Sequence, residues 1–479
     1  MTGFVGRAAE LALLEKWSRR VRESGTGESL SIRGRRQVGK SRLVQEFCDR
    51  AGLPYFYFTA VKGASPVDSV SRFCAELKES CLPAEPDLVT VPESGDWLDA
   101  FRQLASALPA SPSVVVIDEI PWLAEQSDTF DGSLQVAWDR LLSRRPVMLL
   151  LLGSDLHMME RFSAYDRPFY GRSSPLLLRP LNPAETARAT GLSGADALDA
   201  FLVAGGLPGI LRVWPYGTPA IEFLREQCAD PTSPVFVIPD EMLSAGFPAP
   251  DLARRVIEAV GSGDRTQANI AATAGGQQGG PASGTLSPLL QRLVKEKRII
   301  EVDEPLSTKP GKPALYHVGD TNLRLYLACL RQAQQLVLRG RPDAGFTIVE
   351  RRWSSWRGRA IEPVVRESLT LAGLAGELPW AGVEAVGGWW NRRFDPEVDL
   401  VGADRALVAR RVLFAGSVKW LDGAFDQHDL RAMLSGVAQV PGFEPGASGT
   451  VVVSRAGMAP GVTGADLVWN ADDVVNAWT

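Results

Sequence analysis

Gly34-Arg35-Arg36-Gln37-Val38-Gly39-Lys40-Ser41 fits the pattern G-x-x-x-x-G-K-[ST], a loop that cradles the phosphates of a nucleoside triphosphate. The chemistry follows from the residue types. Glycines let successive backbone N–H groups turn toward one anion, and a helix that follows aims its positive end at the same place. Lys40 can reach the β- and γ-phosphates, and the Ser41 hydroxyl can ligate Mg²⁺. Arg35, Arg36 and Arg42 flank the loop with positive charge. Much further along, Val116-Ile117-Asp118-Glu119 ends an apolar run in two acids. Asp118 can hold the Mg²⁺ shell, and Glu119 can polarise an attacking water as general base. Gly153-Ser154 ends another apolar run, and Ser154 is the candidate to sense the γ-phosphate.

Positioning these groups takes strands and helices. Five strand-like runs occur: Leu30 to Ile32, Tyr55 to Thr59, Val114 to Ile117, Val147 to Leu152 and Pro175 to Leu178. Apolar runs alternating with helical segments predict an α/β fold whose five-stranded parallel sheet is covered on both faces. An amphipathic helix bearing Leu43, Val44 and Phe47 follows the loop. About eighty residues separate loop and acids, room for an extra strand and its helices. That matches the branch of these ATPases with a strand between the two motif strands and a catalytic glutamate beside the metal-binding acid.

Composition narrows the class. The chain has 479 residues, 45% hydrophobic and 22% charged, which is globular and large enough for about two to four domains. A net charge of −5 argues against a wholly basic nucleic-acid binder, although a local basic face is compatible with it. Five scattered cysteines with no C-x-x-C pair suggest reduced thiols in a cytoplasmic protein. The start reads as no secretory signal. No apolar run is long enough to span a membrane.

Beyond the sheet, residues 182–247 read as helical, opening on Asn182 with Pro183 and Glu185, a capping box. Residues 248–335 read as a winged helix-turn-helix: helices over 251–260 and 266–274, a Gly/Gln turn, a helix capped by Ser283, then a hairpin from 298–302 and 314–318. Arg292, Lys295, Lys297, Arg298, Lys309 and Lys312 give it a basic edge, diluted by Glu296, Glu301, Asp303 and Glu304. DNA contact and domain contact both stay open for this module.

Several of these motifs occur in order: Phe4-Val5-Gly6-Arg7, the loop, Val116 to Glu119, Gly153-Ser154, Tyr170-Gly171-Arg172 and Gly205-Gly206-Leu207-Pro208. Together they resemble the archaeal-type ATPase family within the STAND class of AAA-related P-loop proteins, over about the first 330 residues. The resemblance implies ATP and Mg²⁺ as cofactors, with residues 1–181 as the ATPase core and 182–247 as a helical lid. ATP would bind between sheet and lid. Val5, Gly6 and Arg7 would lie near the adenine, Pro208 would touch the nucleotide, and Arg172 would offset γ-phosphate charge during catalysis. No Asn-Lys-x-Asp element for guanine occurs.

The order of elements from residue 346 to 479 is similar to restriction-endonuclease-like PD-(D/E)xK nucleases. Glu362, Asp399 and Lys419 match the helix acid, strand acid and lysine of that family, which would hold a divalent metal and activate a water. Ser417 stands where a second acid is expected, which predicts poor metal binding or recruitment of Glu397. The resemblance leaves three readings: a slow nucleotide-driven ATPase switch that acts on or with DNA, an ATP-regulated metal-dependent nuclease, and a non-hydrolysing ATP-bound regulatory or defence scaffold. A protein partner could engage the winged helix or the last domain, and the family is compatible with oligomers.

Overall fold

The structure is a computed structural model that describes residues 4–83, 85–92, 95–247, 251–275, 281, 283–311 and 313–479. The chain divides into two compact units, residues 3–180 and 181–479.

In the first unit all five expected strands form. β1 (Glu28–Arg33), β2 (Tyr55–Thr59), β3 (Ser113–Asp118), β4 (Val147–Gly153) and β5 (Ser174–Leu177) make one sheet in the order β2-β3-β4-β1-β5, every neighbouring pair parallel. Every residue of β3 and β4 is buried, which is why they read as unbroken apolar runs: in a parallel sheet both faces are covered. The covering helices are α1 (Ala8–Ser24), α2 (Lys40–Ala51), α3 (Pro66–Glu79), α4 (Trp97–Ala107), α5 (Ile120–Gln126), α6 (Phe130–Arg140) and α7 (Leu156–Phe162). The long insertion between loop and acids does hold an extra strand, but that strand is β2, at the sheet edge beyond β3. The strand lying between the two motif strands is β4, which follows the acids in sequence.

Aromatic packing fixes this edge. Phe56 and Phe58 alternate onto one face of β2 and meet Phe73 of α3 edge-to-face, at centroid distances of 5.0 and 5.1 Å. Trp97 of α4 closes the cluster against Phe73 at 5.5 Å. Such edge-to-face pairs add about 0.5–1.5 kcal/mol each beyond the area they bury.

The second unit starts with α8 (Pro183–Thr190), α9 (Gly194–Ala204), α10 (Pro208–Leu211), α11 (Ala220–Gln227) and α12 (Pro234–Gly246). The capping box at its start is formed: Glu185 N donates to Asn182 Oδ1 at 2.8 Å, and Asn182 N to Glu185 Oε2 at 3.0 Å. Next come α13 (Leu252–Ser262), α14 (Gln267–Gly275), α15 (Ser283–Lys295) and an antiparallel hairpin of β6 (Ile300–Asp303) and β7 (Leu315–Val318). Most of the Gly/Gln turn, the Ser283 side chain and Lys312 lie outside the described residues. α16 (Thr321–Leu325), α17 (Arg331–Val337) and α18 (Pro342–Ala360) lead into α19 (Glu362–Ala375). A last sheet holds β8 (Ala385–Trp390), β9 (Glu397–Ala403), β10 (Val412–Lys419), β11 (Gly449–Ser454) and β12 (Leu467–Trp469), in the order β12-β11-β10-β9-β8. β8, β9 and β10 are antiparallel neighbours; β11 and β12 continue parallel to β10. α20 (Gln427–Val437) connects β10 to β11, and α21 (Ala471–Asn476) closes the chain.

Two features tie this unit together. The hairpin and the segment after β6 are docked on the last sheet: Leu306 N donates to Gly388 O at 2.8 Å, Trp390 Nε1 to Pro313 O at 2.8 Å and Thr308 N to Pro441 O at 3.1 Å. Ala184 of α8 and Ala197, Leu198 and Leu202 of α9 share one apolar cluster with Val365, Leu369, Phe414 and Val451. The eight tryptophans after residue 350 are all buried or half-buried, so they fill core rather than line an open surface. No helix among the described residues is long and apolar enough to cross a membrane.

Inside that shared core Asp199 of α9 accepts from Arg357 at 3.1 Å and Arg455 at 2.9 Å, with Trp420 Nε1 at 3.4 Å. Removing the carboxylate leaves two guanidiniums without their buried counter-charge. Asp199→Ala is therefore expected to destabilise the second unit by about 3–5 kcal/mol, read as a lowered denaturant midpoint; a change below about 0.5 kcal/mol, the size of an ordinary surface substitution, would show the cluster to be unimportant.

Candidate active site

The phosphate loop leaves the carboxyl end of β1 and enters α2 with Gly39 as cap at φ 90° and Gln37 at φ 63°. Gly39 sits where only glycine is unstrained. Gly34 is fixed by space instead: a Cβ there would lie 2.5 Å from the carbonyl oxygen of Leu178. Lys40 opens the helix and is buried. Its ammonium donates to Gly34 O at 2.9 Å and Arg35 O at 3.0 Å. Burial lowers its pKa, and attraction to Glu119 and Asp118 works against that fall.

The acids meet the loop as their positions at the end of β3 require. Ser41 Oγ donates to Asp118 Oδ2 at 2.7 Å, across 77 residues of chain. The other oxygen of Asp118 accepts from Glu119 N at 2.9 Å. Glu119 itself is left-handed, φ 55° and ψ 41°, a conformation that costs a non-glycine residue about 1–2 kcal/mol. Its carboxylate accepts from Ser154 Oγ at 2.9 Å and Ser154 N at 3.2 Å. Because β4 lies between β1 and β3, Ser154 at its end reaches the Glu119 carboxylate directly.

The donor set suits the expected cofactors. Ser41 and Asp118 offer adjacent hard oxygens, as Mg²⁺ requires. Lys40 and a glycine-capped helix start offer positive charge to phosphate.

Sequence reasoning missed two supports. Tyr57 donates its hydroxyl to Asp118 Oδ2 at 2.7 Å, and burial beside that carboxylate raises the phenol pKa strongly. The signal lay in the alternation of β2: with Phe56 and Phe58 in the core, Tyr57 faces the other way, and Thr59 pairs with Asp118. Arg7, expected near the adenine, is buried and donates Nη2 to Val38 O at 2.9 Å, so the structure makes it a brace of the loop. Val5 and Gly6 precede it, with Gly6 at φ 70°.

Arg172 is held elsewhere than the loop. Its guanidinium donates to both oxygens of Asp139, at 2.8 and 2.9 Å, and to the carbonyls of Pro168 and Tyr170. The bond to Asp139 raises the Arg172 pKa and lowers that of Asp139. Pro208 begins α10 in the second unit.

The nuclease-like trio is only partly assembled. Glu362 and Asp399 are close enough for the Asp399 charge, after burial, to help push the Glu362 carboxyl up to about 7. Between them lies Arg366, which donates Nη2 to Glu362 at 3.3 Å and Nε to Asp399 O at 2.9 Å. Ser417 donates to Asp399 Oδ2 at 2.7 Å, and Val418 N to the same oxygen at 2.9 Å. Lys419 does not join them: its ammonium is bound by Asp429 and by Ala424 O. Glu397, the substitute acid, is bound by Arg265. Asp429 lies at the start of α20, where it also completes the Asp426 capping box, and this neighbour captures the lysine. Among the described residues no group of three or more His, Cys, Asp or Glu is arranged to hold a metal ion.

Residues 3–150 match the family model described as an AAA ATPase domain. No curated protein matches the chain. Among solved structures, the Walker-type ATPase of Pyrococcus abyssi is 18% identical, with 68% of this chain and 96% of that chain covered and a TM-score of 0.46. The ORC2 protein of Aeropyrum pernix, solved as ADPNP-ADP complexes, is 13% identical, with 72% and 96% covered and a TM-score of 0.44. Likenesses this distant carry no functional weight.

Two expectations follow from the geometry. Arg7→Ala frees the Val38 carbonyl, so the KM for nucleotide should rise by about tenfold, the size of one lost hydrogen bond to a charged group, with kcat little changed; an unchanged KM in steady-state kinetics would remove Arg7 as a brace. Glu362 has a raised folded pKa, so the folded protein keeps a proton that the unfolded chain loses from about pH 4.5 upward. Stability is therefore full below that pH and falls as pH rises to about 7. Glu362→Gln should match the wild type in melting temperature at pH 4.5 and exceed it at pH 8; equal melting temperatures at both would contradict the shift.

Proposed function

We propose that this chain is an ATPase of the AAA kind that acts as a slow nucleotide-driven switch. One observation carries the reading. Ser41 at the start of α2, and Asp118, Glu119 and Ser154 at the ends of two strands, form one hydrogen-bonded chain beside Lys40. All of it but Ser154 lies within residues 3–150, which match the AAA ATPase domain.

When bound, Mg²⁺-ATP supplies the scissile phosphoryl group and the cation that neutralises its charge. The chain's own residues do the rest. The backbone of Gly34 to Gly39 and the ammonium of Lys40 bind phosphate oxygens. Ser41 and Asp118 would hold the metal, and Tyr57 keeps the Asp118 carboxylate oriented. Glu119 takes the proton of the attacking water. Ser154, now bound to the Glu119 carboxylate, responds to the γ-phosphate. Arg172 can act on that phosphate only after leaving Asp139. Val5 and Gly6 remain proposed nucleotide contacts.

Two features favour slow turnover. The general base is held by two donors from Ser154, and the charge-offsetting arginine is in a two-point ion pair. Each must be released before the chemical step, which suits a timer better than a fast hydrolase.

The second unit is the proposed output. Arg292, Lys295 and Lys297 stay exposed on the three-helix module, and they are where DNA contact is proposed. Metal-dependent cleavage has less support, because Lys419 is committed to Asp429 and Arg366 occupies the acid pair.

The test is turnover and binding by three proteins. Relative to wild type, Lys40→Ala should lower ATP turnover by at least about a hundredfold, the scale of losing one preorganised charge donor. Glu119→Gln should keep nucleotide binding and lose about 10²–10⁴ in turnover, the share of a general base. Normal phosphate release by either variant would overturn the assignment.

A further inference from the structure

A second concave site lies within the second unit, where the β6–β7 hairpin and α16 meet α18, α19 and β8. It is a narrow notch with Arg265, His317, Arg324, Arg359, Glu362 and Trp390 in its wall. The carboxylates around it already have cations. Asp303 is paired with Arg366 at 3.5 Å and His317 at 3.4 Å. His317 also meets Glu301 at 3.2 Å. Glu362 has Arg366, and Glu397 has Arg265.

Two guanidiniums make no direct bond to any of these carboxylates. Arg324, half-buried on α16, and Arg359, exposed near the end of α18, make no side-chain hydrogen bond and no ion pair among the described residues. Burial lowers the Arg324 pKa; the charges of Glu362 and Asp303 work against that fall, and those of Arg265 and Arg359 add to it. A desolvated guanidinium with no bonded partner is costly; Arg324 is in that position, and the exposed Arg359 lines the same notch.

We propose that this notch binds a small phosphorylated anion, with Arg324 and Arg359 as its principal ligands. Two guanidinium forks with no bonded partner match a tetrahedral group carrying close to two negative charges at neutral pH better than a single carboxylate. Trp390 and Pro363 add apolar surface to the lining. The hairpin supplies His317 and the α18–α19 corner supplies Arg359, so an anion held there would clamp the hairpin module to the last sheet. No metal is needed for this binding. The site does not depend on the phosphate loop being a nucleotide site.

The experiment is calorimetric titration of the full chain carrying Lys40→Ala, which silences the loop, with orthophosphate, adenosine 5′-monophosphate and acetate as separate probes. Phosphate binding is expected to persist in this protein and to exceed acetate binding. Arg359→Ala and Arg324→Lys, each added to Lys40→Ala, should weaken it by at least about tenfold, one lost charge-assisted contact. Arg359 is exposed, so its variant tests the site without a folding penalty. Tighter binding of the monophosphate than of orthophosphate identifies a nucleotide as the source; equal binding identifies the free anion. The proposal is overturned if Lys40→Ala abolishes phosphate binding, if Arg359→Ala binds as well as its parent, or if acetate binds as tightly as phosphate.

Discussion

The hydrogen bond from Ser41 to Asp118 joins the first turn of α2 to the end of β3 and sets the distance between phosphate loop and acids. The groups proposed for catalysis are arranged around it. Tyr57 shares the same carboxylate oxygen, the backbone of Glu119 takes the other, and Glu119 then reaches Ser154. A parallel sheet makes this economical, since strands running one way deliver their carboxyl ends, and the loops they carry, to one edge. Separation along the chain becomes irrelevant once β3, β4 and β1 are neighbours.

The same network holds the site in check. Lys40 is satisfied by loop carbonyls, Glu119 by Ser154, and Arg172 by Asp139. Each of these bonds competes with a bond that the proposed catalysis requires. A site whose reactive groups are paired with each other binds ligand at the expense of those pairs, and ligand arrival reorganises it. The left-handed backbone at Glu119 adds local strain at the residue proposed to take the proton.

Much of this was legible because the motif has a physical basis. The run from Gly34 to Ser41 and the acids at 118 and 119 were found from residue type and spacing, and all five strands from apolar patterning. Sheet order was not legible: nothing in the residues of β2 says that it takes the edge while the later β4 takes the centre. Side-chain alliances were missed for a similar reason. Arg7 bracing Val38, Arg172 on Asp139 and Lys419 on Asp429 join residues from separate elements or from a turn whose path the sequence leaves open. Asp199 was not singled out at all, since a lone acid on a predicted helix reads as a solvated face; its burial comes from Arg357 and Arg455, far along the chain.

The most direct measurement is a crystal structure of the full chain grown with Mg²⁺ and a non-hydrolysable ATP analogue. The account predicts the triphosphate tail wrapped by residues 34–41, the Lys40 ammonium moved from the carbonyls of Gly34 and Arg35 onto phosphate oxygens, and the cation beside Ser41 with Asp118 behind it. An analogue bound anywhere else, or a loop in which Lys40 and Ser41 keep their present partners at saturating ligand, would contradict it.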